Sequence, residues 1–158
     1  MNITLSTLAW LSMAAYSVHI LEEFSLDWRN WARGVLKLPV EWTDFYVTNA
    51  VVVALGIAQA MLAPTLPIAP LAFAGLMLVN AVFFHILPVV TTRRFSPGLM
   101  TALAIFLPLG VAVFWFAMAN DLATATTALG GLFLGAVIMA YPIVLLKIKN
   151  KPFFRQSV

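Results

Sequence analysis

The sequence predicts an all-α bundle that crosses a membrane several times, and three observations carry that prediction. First, 63% of the 158 residues are hydrophobic and only 9% are charged, with a mean hydropathy of +0.98. Soluble domains are about half apolar and about a quarter charged, and a small domain cannot bury this much apolar surface. Second, the apolar residues gather into five stretches, residues 3–24, 42–62, 71–90, 99–119 and 129–148. Each has about the 20 residues that a helix needs to cross the hydrocarbon core. Third, all nine Lys and Arg residues fall into the first and third connections and the C-terminal end, from Lys147 on. The length predicts one transmembrane domain over residues 1–158.

Each element has its own local signals. Met1 to Thr4 lacks a basic lead and a long apolar run follows, so the first stretch reads as a retained helix rather than a signal peptide. Residues 27–38 form an amphipathic segment: Trp28, Trp31, Ala32 and Val35 recur on one side, and Arg29, Arg33 and Lys37 on another. That pattern suits a short helix lying in the membrane interface. Pro64, Pro67 and Pro70 break the chain after the second stretch, and Ser96-Pro97-Gly98 breaks it before the fourth. Pro88, Pro108 and Pro142 lie inside helical stretches, which membrane helices tolerate where neighbours satisfy the freed carbonyls. Phe114, Trp115 and Phe116 read as an aromatic belt. Gly131 and Gly135 form a GxxxG pattern, which marks close packing inside the bundle or the face of a homo-oligomer.

Orientation follows from the basic residues. The first connection holds Arg29, Arg33 and Lys37, the third Arg93 and Arg94, and the tail Lys147, Lys149, Lys151 and Arg155. The other connections hold none. Cytoplasmic loops collect Lys and Arg, so five crossings of the plasma (inner) membrane place the N-terminus outside and the C-terminus in the cytoplasm. The same placement explains a net charge of +3 and a pI near 9.6 without nucleic acid. The basic residues set topology and meet anionic membrane lipids. The absence of cysteine excludes disulfides, thiolate metal sites and cysteine nucleophiles.

Ionisable groups inside membrane helices are costly and usually functional. Here His19, Glu22 and Glu23 sit near the end of the first stretch, and spacings of three and four put both carboxylates on the imidazole's side. Asn80 and His85 lie in the third stretch, Thr101 opens the fourth, and Asn49 lies in the second. With the orientation above, all of them occupy the cytoplasmic half and face one another across the bundle, where inward carboxylates and imidazoles build metal and catalytic sites.

These residues resemble a known family. His19-Ile20-Leu21-Glu22-Glu23 is similar to the signature of the HXXEE family of small, mostly bacterial membrane proteins. Asn80-Ala81 with His85 resembles that family's Asn-Ala…His motif, and Gly98-Leu99-Met100-Thr101 its Gly-x-x-Thr motif. The resemblance implies a shared membrane fold and names no reaction.

Two chemistries suit the set. His19, Glu22, Glu23 and His85 supply donors fit for zinc, iron or manganese, with Asn80, Asn49 and Thr101 in support. Alternatively, Glu22, Glu23, His19 and His85 act as acids and bases without a metal, with Asn80 orienting the substrate. Both point to a membrane-embedded enzyme acting on a lipid-like hydrophobic small molecule. A proton-linked small-molecule transporter and a non-catalytic scaffold or subunit are the alternatives. The outer half lacks polar groups to continue a transport path, and a scaffold explains less well why polar groups from several helices converge.

Overall fold

The computed structural model describes residues 3–149 and 151–154, so Arg155 of the basic tail lies outside the described residues. Every regular element among the described residues is helical. Helix α1 (Leu5–Ser25) begins where the Thr4 hydroxyl accepts the Thr7 N–H at 3.1 Å. It ends at Ser25 with Leu26 as its C-cap, and Asp27, at φ 58°, then turns the chain. The amphipathic segment follows as a short helix, α2 (Trp28–Trp31), and a π-helical turn over Ala32–Leu36, closed by Lys37 at φ 56°. Helix α3 (Trp42–Leu62) opens with a reciprocal capping box between Glu41 and Asp44. Helices α4 (Ile68–Thr92), α5 (Leu99–Ala119) and α6 (Ala125–Ile148) complete the bundle.

Two starts differ from the sequence expectation. Helix α4 begins at Ile68 because Pro67 precedes it and Pro70 sits in its first turn, where no N–H is required. Helix α6 begins at Ala125 because the Thr124 hydroxyl accepts the Thr127 N–H at 3.2 Å.

The count of crossings also needs correction. Four helices, α3 to α6, are long and apolar enough to cross a membrane, not five. Helix α1 matches them in length, with 21 residues. Its closing turns hold His19, Glu22 and Glu23, and these dilute its apolar character. Its polarity is turned inward all the same. Ser12, His19 and Glu23 are buried while Trp10, Leu11, Val18 and Leu21 are exposed. The chain is thus a helical, multi-pass membrane protein whose outer surface is apolar.

Helix α4 is the hub and packs on α3, α5 and α6. Its contact with α6 is close because glycines face each other. A Cβ at Gly135 would lie 2.3 Å from the Leu76 nitrogen, and one at Gly75 would lie 3.0 Å from the Gly131 carbonyl oxygen. The GxxxG face is therefore occupied by α4, at backbone distances that membrane helices reach through small residues. Helices α3 and α6 hardly touch, which leaves a groove between them. The apolar core near the polar cluster is built from Tyr16, Val52, Phe73, Met77, Ala102 and Phe106.

Candidate metal centre

The two carboxylates of α1 part company. Glu22 reaches the start of α5, where its Oε1 accepts the N–H groups of Gly98 and Met100, both at 3.1 Å. Its Oε2 accepts the Thr101 N–H at 2.8 Å and the Thr101 hydroxyl at 2.6 Å. The first N–H groups of a helix have no partner within it and carry its positive dipole end. Glu22 thus caps α5 from another helix, and the expectation that it joins the ligand set gives way to this role. Glu23, one residue on, turns into the bundle and is 5% exposed.

His85 comes from α4 by an unusual local geometry. Residues Asn80–Ile86 form a π-helical stretch. Bonding from i to i+5 places Asn80 and His85 on the same inward face, and both are buried. Pro88 brings no N–H to the preceding turn, and the Phe84 carbonyl there accepts from the Ser96 hydroxyl at 3.4 Å.

Both imidazoles are oriented by hydroxyls. His19 Nδ1 lies 2.7 Å from Thr101 Oγ1, and His85 Nδ1 lies 3.0 Å from Ser96 Oγ. A hydroxyl has one proton and two lone pairs. The Thr101 proton goes to Glu22 Oε2 at 2.6 Å, whereas Ser96 has longer contacts, 3.4 Å to the Phe84 carbonyl and 3.5 Å to that of Pro97. Thr101 therefore accepts from the His19 Nδ1–H, and the neutral tautomer of that ring leaves Nε2 as a bare lone pair; at His85 either Nδ1 or Ser96 Oγ is the donor.

Those two Nε2 atoms are buried and have no hydrogen-bond partner. Each lies 3.5 Å from the same atom, Glu23 Oε1. The rings meet edge to face with centroids 4.8 Å apart, and Phe106 covers His19 at 4.3 Å. Two imidazole nitrogens and a carboxylate oxygen from two helices thus converge. His19, Glu23 and His85 form a group able to hold a metal ion, their ligand atoms all within 4.8 Å of one another. Gly98 is required twice over. Its φ is +95°, and a Cβ there would lie 2.4 Å from His85 Cε1 and 2.8 Å from His19 Cε1.

A cavity of ≈ 70 Å³ adjoins Glu23, with Asn80, Asn49, Tyr16 and Thr48 among its walls and Trp28 beside it. Tyr16 donates to Asn49 Oδ1 at 3.1 Å, so Asn49 is held in place. Asn80 Oδ1 is buried without a partner, and its amide nitrogen makes only a long contact, 3.8 Å, to Met139 Sδ. The structure therefore brings His19, Glu23 and His85 together, puts Asn80 and Asn49 on the cavity wall, and makes Thr101 the link between Glu22 and His19. Ser96, Gly98 and Tyr16 were not among the expected site residues. Pro88 was the available signal for Ser96, because a proline inside a membrane helix calls for an outside donor.

A helical membrane protein with a buried His-Glu-His cluster is the class that fold and site define. Residues 10–113 match the family described as "Protein of unknown function with HXXEE motif", and the chain belongs to that family. His19, Glu22 and Glu23 are its named motif, here divided between metal-type ligands and a helix cap. The chain is also 24% identical over 146 residues to the uncharacterised Bacillus subtilis protein YrkK, covering 87% of this chain and 92% of that one. No solved structure matches it.

Proposed function

We propose that His19, Glu23 and His85 hold a divalent zinc, iron or manganese ion, and that the protein is a membrane-embedded enzyme acting on a hydrophobic small molecule. The observation that carries this reading is the pair of partnerless Nε2 atoms, each 3.5 Å from one carboxylate oxygen. That distance is too long for a good hydrogen bond. It is near the spacing of about 3.4 Å between ligand atoms around a tetrahedral zinc with bonds of about 2.1 Å. Two imidazoles and a carboxylate, with one position left open, are a common donor set of catalytic sites. A carboxylate buried at membrane depth also calls for a cation.

A bound ion supplies Lewis acidity toward a substrate oxygen. The chain's own residues do the rest. Thr101 and Ser96 fix the imidazoles, Glu22 anchors Thr101, and Asn80 presents a free carboxamide beside Glu23 to orient the substrate. The cavity opens at Glu23, so substrate and cluster share one carboxylate.

The reading includes a topology. Helix α1 crosses beside the other four, with its N-terminus outside and the C-terminus in the cytoplasm of the cell that bears this plasma membrane. Support comes from the inward polarity of α1 and from the charged groups near the cluster end, where Arg29 and Arg33 pair with Glu41, and Lys149 with Asp44.

The test is the metal content of detergent-purified protein. Stoichiometric zinc, iron or manganese is expected in the wild type and is expected to vanish in Glu23→Ala and His85→Ala while both remain helical and monodisperse. Wild-type protein that stays metal-free after incubation with each of the three ions would overturn the metal centre and leave the cluster as a metal-free acid/base group.

A further inference from the structure

We propose that the substrate is a neutral lipid with a single hydroxyl head, and that it reaches Glu23 sideways from the bilayer through the groove between α3 and α6. This deepens the enzyme reading above and rests on it. The groove has a volume of ≈ 350 Å³, and its walls include Val47, Val51 and Leu55 of α3 and Val137, Tyr141 and Leu145 of α6. Thr48 and Pro142 line both this groove and the chamber beside Glu23, so the two adjoin and these two side chains stand between them. The proposed path runs from this apolar slot, past Thr48 and Pro142, to the small chamber where Glu23, Asn80 and Asn49 are the polar groups against the candidate metal centre. Helix α6 leans on α4 through Gly131 and Gly135 and stands away from α3, which keeps the groove open.

Three features of the chamber select the head group. Its volume of ≈ 70 Å³ is little more than two waters at about 30 Å³ each. A phospholipid head is too large. Its charged lining residues are Glu23 and Asp44, with no Lys or Arg among them, so apart from the proposed ion, whose charge Glu23 offsets in part, an anionic head meets no cation in the lining. Lys149, at the outer rim, is already paired with Asp44 at 2.6 Å. Finally, the buried Asn80 carboxamide has an oxygen with no partner. A hydroxyl both donates and accepts, so it satisfies that amide whichever way it is turned and still offers a lone pair toward the cluster.

The experiment uses hexadecanol carrying a mid-chain diazirine as a photoaffinity probe, with the full-length protein in lipid nanodiscs. Labelling is expected on peptides covering residues 47–55 and 137–145, and excess hexadecanol should suppress it at least tenfold more effectively than excess palmitate. Val51→Trp fills the groove from a lipid-facing position and should remove most of the labelling. Val111→Trp, equally lipid-facing on α5, should leave it unchanged. Equal competition by palmitate, or labelling that survives Val51→Trp, would overturn the proposal. So would copies of the chain cross-linking to each other through the groove in place of the probe. Metal content separates the two readings. Metal present without selective labelling sinks the hydroxyl-lipid portal alone, and selective labelling of a metal-free protein sinks the metal centre alone.

Discussion

Thr101 Oγ1 receives the His19 Nδ1–H and gives its own proton to Glu22 Oε2, so one hydroxyl couples a helix cap to an imidazole tautomer. Such outer partners orient metal ligands, and losing one typically lowers metal affinity about 10–100-fold. Thr101→Val keeps the shape and removes the acceptor. It should weaken zinc binding by roughly that factor, whereas Thr101→Ser restores the hydroxyl and should bind like wild type. Competition against a chromogenic zinc chelator reads the difference, and equal affinities for Val and Ser would show that the hydroxyl does not set the ring. The same residues mark how far the sequence could be read. His19, Glu23, His85, Asn80 and Thr101 stand out as polar groups in apolar helices. Which of two adjacent glutamates faces the histidines does not. Spacings of three and four both put a carboxylate on the imidazole's side, and only the position of the α5 start, with its unpaired N–H groups, draws Glu22 away.

Elements add what residue types cannot. On a regular α-helix, Asn80 and His85 would point about 140° apart at about 100° per residue. The π-helical stretch brings them to one face, and no simple periodicity in the sequence announces it. In the segment after α1, Trp28, Trp31 and Leu36 pack on Ala32, Val40 and Leu146, so the aromatic side turns to the bundle, while Arg29 and Arg33 bond Glu41. Hydrogen bonds from Arg29, then the charges of Arg29 and Arg33, hold the Glu41 carboxyl below its ordinary value. A carboxyl lowered in the folded state stabilises the fold above the ordinary carboxylate range, and that contribution is lost as pH falls through the lowered value. Because Trp28 borders the cavity, loosening this segment should be visible from its indoles. In a background with Trp10, Trp42 and Trp115 replaced by Phe, Glu41→Gln should raise acrylamide quenching of Trp28 and Trp31 at neutral pH. Wild type should reach the variant's level only in acid. Quenching that is identical in the two proteins at neutral pH would show that the carboxylate does not hold the segment.

At the scale of the whole molecule, composition and apolar runs disclose a multi-pass helical bundle, but they count α1 among five crossings where four helices are long and apolar enough. A helix that devotes one face to a polar centre loses mean hydropathy while its lipid-facing side stays as apolar as its neighbours'. Averages cannot separate the two faces, and packing can. The structure sets α1 against α3 and α5, with Trp10, Leu11, Val18, Leu21 and Phe24 outward. The consequence is a parity. If α1 crosses with α3 to α6, the two termini lie on opposite sides; if it does not, they share a side. Reporter fusions at the loop near Pro64, near Arg93, near Asp121 and at the C-terminus should alternate, with the Arg93 and C-terminal fusions cytoplasmic. A small epitope before Leu5 should then react with antibody outside intact cells. An epitope protected until the membrane is opened, with the other four fusions as expected, would place α1 on the cytoplasmic face. In that arrangement, the depth assigned to His19, Glu23 and His85 would have to be argued afresh from α4 alone.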